Sequence, residues 1–164
     1  MILYEEILRE FQKQKVKYVI VGGVAFNLLG GNRGTLDLDI LVEMADKNLF
    51  KIANIMKNAG YRVKQPVDPI RIADKKTRED WIKNKHTKAF NFYKSAGTSY
   101  EEVDIIIDSP VDFREAVKDA LNAKVSGLRL TVISPKKFIK MKKASGREQD
   151  LRDIEEIKIV RGLK

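Results

Sequence analysis

The sequence contains no cysteine and a single histidine, His86. The first absence excludes disulfides and thiolate metal centres. The second leaves no basis for histidine-rich zinc chemistry. Any catalytic metal must therefore sit on oxygen ligands, which points to magnesium or manganese. No apolar run approaches the roughly 18 residues that signal a membrane span. The opening stretch MILYEEILRE carries acids where a signal peptide carries bases. A cytoplasmic location without a membrane partner is expected. Internal repeats and low-complexity linkers are also missing.

What the chain does have is length, apolar content and positive charge. With 164 residues, 43% of them hydrophobic, it can bury a sizeable core, and residues 1–164 read as one domain. The net charge is +9, and the stretch SPKKFIKMKKASGR carries six cations and no acid. A second basic region covers residues 62–88. Such a surface attracts nucleotides or RNA. It reads equally as a solvated lysine-rich exterior.

Ile2, Leu3, Ile7, Leu8 and Phe11 are spaced for an amphipathic helix. Residues 16–21 read as a strand, which Gly22-Gly23 turns into a short helix over 24–29. A GGNRG loop leads to a second strand, 35–42. Asp46 can cap a helix that Gly60 stops. A short strand, 61–65, precedes a mostly helical stretch, 68–86, in two pieces. Residues 89–94 and 101–108 form a hairpin turning at Gly97, followed by a helix over 111–120. Strands 123–125 and 128–133 flank a tight turn at Ser126-Gly127. Ser134 and Pro135 start a C-terminal helical element, about 134–164, which Ser145-Gly146 divides so that a last helix covers 147–161. Trp81 and Ile82 read as core, and His86 as surface. The expected class is α/β (α+β), a mixed β-sheet flanked by helices.

The chemistry is concentrated in VGGVAFNLLGGNRGTLDLDILVE. Strand side chains alternate faces, so Leu36, Leu38, Ile40 and Val42 share the core side while Asp37 and Asp39 share the other. Two close carboxylates repel, and burying them unpaired costs several kcal/mol. A divalent cation held between them removes the conflict. A third ligand is needed, and Asp104, the lone acid in VDIII, is the candidate, with Glu102 on the same face as a weaker one. A strand–Gly-Gly–helix turn lets backbone N–H groups approach a phosphate closely. Arg33 could add a bidentate contact. By itself an Asp-x-Asp pair reads as solvated acids on an edge strand; Gly22-Gly23 before it and Asp104 after it favour a metal site built for two-metal phosphoryl or nucleotidyl transfer.

Val21-Gly22-Gly23, Asp37-Leu38-Asp39-Ile40 and Val103-Asp104-Ile105 together resemble the signature of the DNA polymerase β-type nucleotidyltransferase superfamily. The resemblance implies the nucleotidyltransferase fold, with Asp37, Asp39 and Asp104 as catalytic metal ligands and Gly22 and Gly23 at the nucleotide phosphates. The chain is also similar to small bacterial and archaeal nucleotidyltransferase-like proteins, including the AbiEii-type toxin group. Arg33, Thr35, Asp37 and Asp39 match that group's Arg-x-Thr-x-Asp-x-Asp run. Lys142, Arg147, Asp150 and Asp153 match its C-terminal element. On a helix, Arg147 and Asp150 are neighbours. Lys142 would approach the phosphates, with Asp150 orienting it or touching the acceptor. A surface salt-bridge ladder is the competing account of these four residues.

These readings converge on a magnesium-dependent nucleotidyltransferase that moves a nucleoside monophosphate from a nucleoside triphosphate to an acceptor hydroxyl. The acceptor stays open: the basic surface favours RNA such as tRNA, and a small molecule or a protein side chain is the alternative. A toxin–antitoxin role with a protein partner follows from the resemblance. The alternative is a nucleotide- or RNA-binding module of the same fold without turnover.

Overall fold

The computed structural model describes residues 4–164. Ile2 and Leu3, assigned by periodicity to the first helix, lie outside the described residues. Helix α1 (Glu5–Lys13) turns Ile7, Leu8 and Phe11 into the core. Strand β1 (Tyr18–Val21) is buried along its whole length and passes directly into α2 (Gly22–Leu28). Next come β2 (Asp37–Val42), α3 (Asp46–Asn58) and the two-residue β3 (Arg62–Val63). A 3-10 turn (Pro69–Ala73) and α4 (Lys75–Asn84) lead to the hairpin β4 (Ala89–Ala96) and β5 (Ser99–Ile106). The chain ends with α5 (Phe113–Val117), β6 (Leu121–Val125), β7 (Leu128–Val132), α6 (Pro135–Ser145) and α7 (Glu148–Val160).

The strands form one mixed sheet in the order β3-β4-β5-β2-β1-β7-β6. β2 pairs antiparallel with β1 and parallel with β5, so its two neighbours run in opposite directions. Leu38, Ile40, Val103 and Ile105 are buried on one face and join Leu49, Ile52 and Met56 of α3 in the core. Trp81 is buried as expected and stacks on Phe90 with ring centroids 5.0 Å apart, whereas Ile82, its neighbour on α4 and also expected in the core, is 38% exposed. Among the described residues, no helix is long and apolar enough to cross a membrane.

Several boundaries move. Pairing of β2 starts at Asp37, opposite Glu102, so Thr35 and Leu36 lie outside the ladder; Leu36, expected in the core, is 70% exposed. Asp46 does not cap α3. Ala45 holds the cap position, and Asp46 instead accepts a 2.9 Å contact from Arg78. The helix expected over 111–120 shrinks to α5, because Asp112 caps it by accepting the Glu115 N–H at 2.8 Å and a turn at 118–119 follows Val117. Ser134 caps α6 as expected, accepting from the Lys137 N–H, and Gly146 ends that helix in a left-handed conformation (φ 65°).

Candidate active site

Two strands distant in the chain build the acidic face. In the parallel β2–β5 register, Asp37 stands opposite Glu102 and Asp39 opposite Asp104. All four acids therefore share the face away from Leu38 and Ile40. Among the described residues, oxygens of Asp37, Glu102 and Asp104 lie within 4.8 Å of one another. Glu102, the weaker sequence candidate, thus joins the cluster. Asp39 stands beside it rather than within that circle, turned under Gly22. Tyr4, which sequence reasoning passed over, ties the two strands together. Its hydroxyl accepts the Glu102 N–H at 3.0 Å and hydrogen-bonds the Leu36 carbonyl.

Crowding of like charge shows in the acidities. Burial, then the neighbouring Asp104 and Asp37 carboxylates, push Asp39 up to about 7; the Lys142 cation pulls the other way. Asp104 is raised by burial and by Glu102, against a hydrogen bond from Asn91. Asp37 is raised by burial and by Glu102. Burial acts to raise Glu102 as well, but hydrogen bonds from Lys64 and Tyr100 hold it below the usual carboxylate range. Three raised acids side by side are the arrangement a divalent cation relieves.

The glycine corner follows β1. Val21 pairs with Asp39, so the turn into α2 falls beside the acidic face. Gly22 has φ +67°, and a Cβ there would lie 2.1 Å from Asp39 Oδ2. A Cβ on Gly23 would meet Thr35 Oγ1 at 2.6 Å and Arg33 Nη2 at 3.4 Å. Both glycines are therefore contact surfaces for site side chains. Since α2 has only seven residues, its contribution is open N–H groups more than a long helix dipole. Gly22→Ala combines a strained backbone, about 1–3 kcal/mol, with a displaced Asp39. It should lower the urea midpoint of unfolding and abolish function together. A midpoint equal to the parent's would refute the contact.

The positive side of the site comes from the GGNRG loop and the two last helices. The Asn27 side chain clamps the Arg33 backbone, accepting its N–H at 3.0 Å and donating to its carbonyl at 2.8 Å. Arg33 Nη1 then meets Asp153 Oδ2 at 2.6 Å. Lys142 Nζ lies 3.2 Å from Asp150 Oδ1 and 3.2 Å from Asp153 Oδ2. Arg147 Nε holds Asp150 Oδ2 at 2.9 Å, while Asp150 accepts the Arg147 backbone N–H to close a capping box on α7. Burial acts to raise Asp150, but hydrogen bonds from Arg147, Ser145 and Lys142 hold it well below the usual range. Asp150 is fully buried, so it can orient Lys142 but offers no surface to an acceptor. Arg33 rides over the Phe26 ring and Lys142 over Phe138, and those two rings stack 6.1 Å apart. Lys142, Asp150 and Asp153 thus form a buried network rather than a surface ladder, with Arg147 at its solvated rim.

Comparison with known proteins agrees with this geometry at the level of fold. The lincosamide adenylyltransferase LnuA, solved with lincomycin bound, superposes with a TM-score of 0.59 at 15% identity, covering 94% of this chain and 93% of that one. ANT(2″)-Ia, solved in complex with adenylyl-2″-tobramycin, gives 0.55 at 14% identity, covering 98% and 93%. An antigenic nucleotidyltransferase-like protein from Paracoccidioides brasiliensis gives 0.55 at 18% identity, covering 95% and 77%. No curated protein matches the sequence significantly. The whole sequence, residues 1–164, fits the family described as Nucleotidyltransferase of unknown function (DUF6036), and the chain belongs to that family.

Proposed function

We propose that the chain moves a nucleoside monophosphate from a nucleoside triphosphate to an acceptor hydroxyl with the help of magnesium or manganese. The β2–β5 register carries the reading, because it sets Asp39 opposite Asp104 and gathers oxygens of Asp37, Glu102 and Asp104 within 4.8 Å of one another. An all-carboxylate donor set suits a hard divalent cation. Asp37, Asp39 and Asp104 would hold it, since Glu102 is already engaged by Lys64 at 2.8 Å. When bound, the metal would neutralise the triphosphate and stabilise the departing pyrophosphate.

The chain's own groups do the rest. Arg33 and Lys142 bind phosphate oxygens, Arg147 and Asp150 keep Lys142 aimed, and Gly22, Gly23 and Thr35 form the floor on which the triphosphate lies. The acceptor oxygen bonds to the α-phosphorus as the bond from that phosphorus to the bridging oxygen breaks. Pyrophosphate leaves, and the acceptor proton passes to Asp104.

RNA is the acceptor this reading favours. While α6 presents Lys142 to Asp150 and Asp153, it also lines a separate cleft of about 680 Å3 with Lys136, Lys137, Lys140 and Lys143, joined by Lys158, Lys164 and the Glu115 carboxylate that pairs with Lys140 at 2.9 Å. A cleft of lysines suits a phosphate backbone. The AbiEii-type resemblance adds a toxin role with an antitoxin partner, and co-purification from the source cell checks it. Incubation with each labelled triphosphate, magnesium, and either total RNA or an aminoglycoside tests the reaction. Magnesium-dependent label in RNA is expected; label in the aminoglycoside alone would replace the acceptor. Triphosphate binding without transfer to any acceptor would leave a binding module.

A further inference from the structure

Asp104 is aimed by two amide side chains whose direction is dictated by the backbone. Asn91 lies opposite Asp104 in the β4–β5 register, and its Nδ2 donates to Asp104 Oδ1 at 2.6 Å. The other end of that amide, Oδ1, accepts from Gln65 Nε2 at 2.8 Å. Gln65 is oriented in turn by main-chain groups: its Oε1 accepts the Asn91 N–H at 3.2 Å, and its Nε2 reaches the Ala89 carbonyl at 3.4 Å. A backbone N–H can only donate and a carbonyl can only accept. Turning the Gln65 amide over would set donor against donor and acceptor against acceptor. With Gln65 fixed, Asn91 is fixed, and a donor always meets Asp104 Oδ1.

The relay begins where the edge strand stops. β3 is two residues long, and the Lys64 N–H to Asn91 carbonyl bond, 3.0 Å, follows it. Beyond that rung, the Gln65 side chain takes over the pairing that a longer strand would make with its main chain. The short edge strand thereby frees an amide to reach inward.

We propose that Gln65 and Asn91 are positioning residues that occupy Asp104 Oδ1 and leave Oδ2 alone to face the reacting centre. Asp104 is then a one-oxygen ligand and proton acceptor in a set orientation. The inference rests on the metal-dependent reading above. Outer hydrogen-bond partners of metal ligands commonly tune affinity by about 10–100-fold.

Gln65→Glu is the decisive variant. The new carboxylate still accepts the Asn91 N–H but cannot donate to Asn91 Oδ1. The Asn91 amide would turn over, directing its oxygen at Asp104. Gln65→Met keeps similar bulk and loses the lock without reversing it. Manganese affinity of the apoprotein, read by electron paramagnetic resonance, should fall about tenfold in Gln65→Glu and less in Gln65→Met. The kcat should fall in the same order, with KM for the triphosphate within about twofold. A packing role predicts the opposite ranking, since glutamate is the closer match in shape, and an added negative charge would by itself tighten manganese. Thermal unfolding of both variants in the metal-free state checks that they fold.

Manganese binding and kcat within twofold of the parent in Gln65→Glu would overturn the relay. If the parent itself binds no manganese, the metal reading fails instead. The relay is then decided by NMR of the metal-free protein. Contacts of the Asn91 side-chain amide protons with the Asp104 Hβ protons, replaced in Gln65→Glu by contacts with the residue 65 Hγ protons, uphold it; contacts unchanged by the substitution overturn it.

Discussion

Asp39→Asn is expected to lose at least about a thousandfold in nucleotide transfer, the equivalent of several kcal/mol of metal-borne transition-state stabilisation. The same variant is expected to unfold at a higher temperature than the metal-free parent at pH 8. Both effects follow from Asp39 being half-buried among like charges. Its carboxyl is pushed from 3.8 to about 7 in the folded protein. The folded state therefore holds a proton that the unfolded chain has released. That stabilisation is complete below the ordinary value, near 4, and is lost as pH rises through about 7. At pH 8 the metal-free parent has forfeited up to about 4 kcal/mol, less whatever the coupled acids share. Asparagine carries no such charge, so the gap between variant and parent should close on acidification to pH 4. Magnesium should raise the parent's unfolding temperature at pH 8 and leave the variant's nearly unchanged. A variant that keeps transfer within tenfold, or melts below the parent at pH 8, would remove Asp39 from the centre of the site.

Lys142→Met should be among the most destabilising single changes on the surface-facing helices. Lys142 Nζ sits between Asp150 and Asp153, whose side chains are 0% and 2% exposed. Its removal leaves Asp150 with Arg147, itself largely solvated, and Asp153 with Arg33. Breaking one partner out of a buried charge group costs about 3–5 kcal/mol, which for a chain of this size is roughly a 10 °C loss in Tm. Asp150 sits below its ordinary range, so its contribution is present above about pH 4 and fades as pH falls. The penalty of Lys142→Met should therefore be largest near neutrality and shrink in acid. Adding Asp153→Asn should restore part of the lost Tm. Arg33→Gln, at a side chain 31% exposed, should cost less stability and act mainly on KM for the triphosphate. A Lys142→Met protein melting within 2 °C of the parent, on the order of a change without a buried-charge cost, would mean the network is dispensable.

The acidic face was legible because strand alternation is a local rule. Asp37 and Asp39 could be assigned to one side from their spacing, and Asp104 stood out as a single acid among β-branched residues. The assignment of Leu36 to the core followed the same rule past its limit, since alternation holds only where the ladder exists. Everything set by register was out of reach. Glu102 and Lys64 meet across 38 positions, and Gln65 reaches Asn91 across 26. Asn27 and Asn91 did leave a trace, as amides in otherwise apolar surroundings, but a polar residue names no partner until the strands are aligned. The C-terminal residues had a helical spacing that fits both a solvated ladder and a sealed network. Only the burial of Asp150 and Asp153 separates the two.

Arg33 and Asp153 are 120 positions apart, yet they form one ion pair. A growing chain on the ribosome that has exposed β1 through β7 already owns every carboxylate of the sheet but has no α7. Until Glu148–Val160 emerges and docks, Arg33 and Lys142 lack the acids that hold them. Synthesis order thus makes the acidic face of the sheet the early product and the anchoring of its cations the last, and a chain truncated before α7 would be born with Arg33 and Lys142 unanchored.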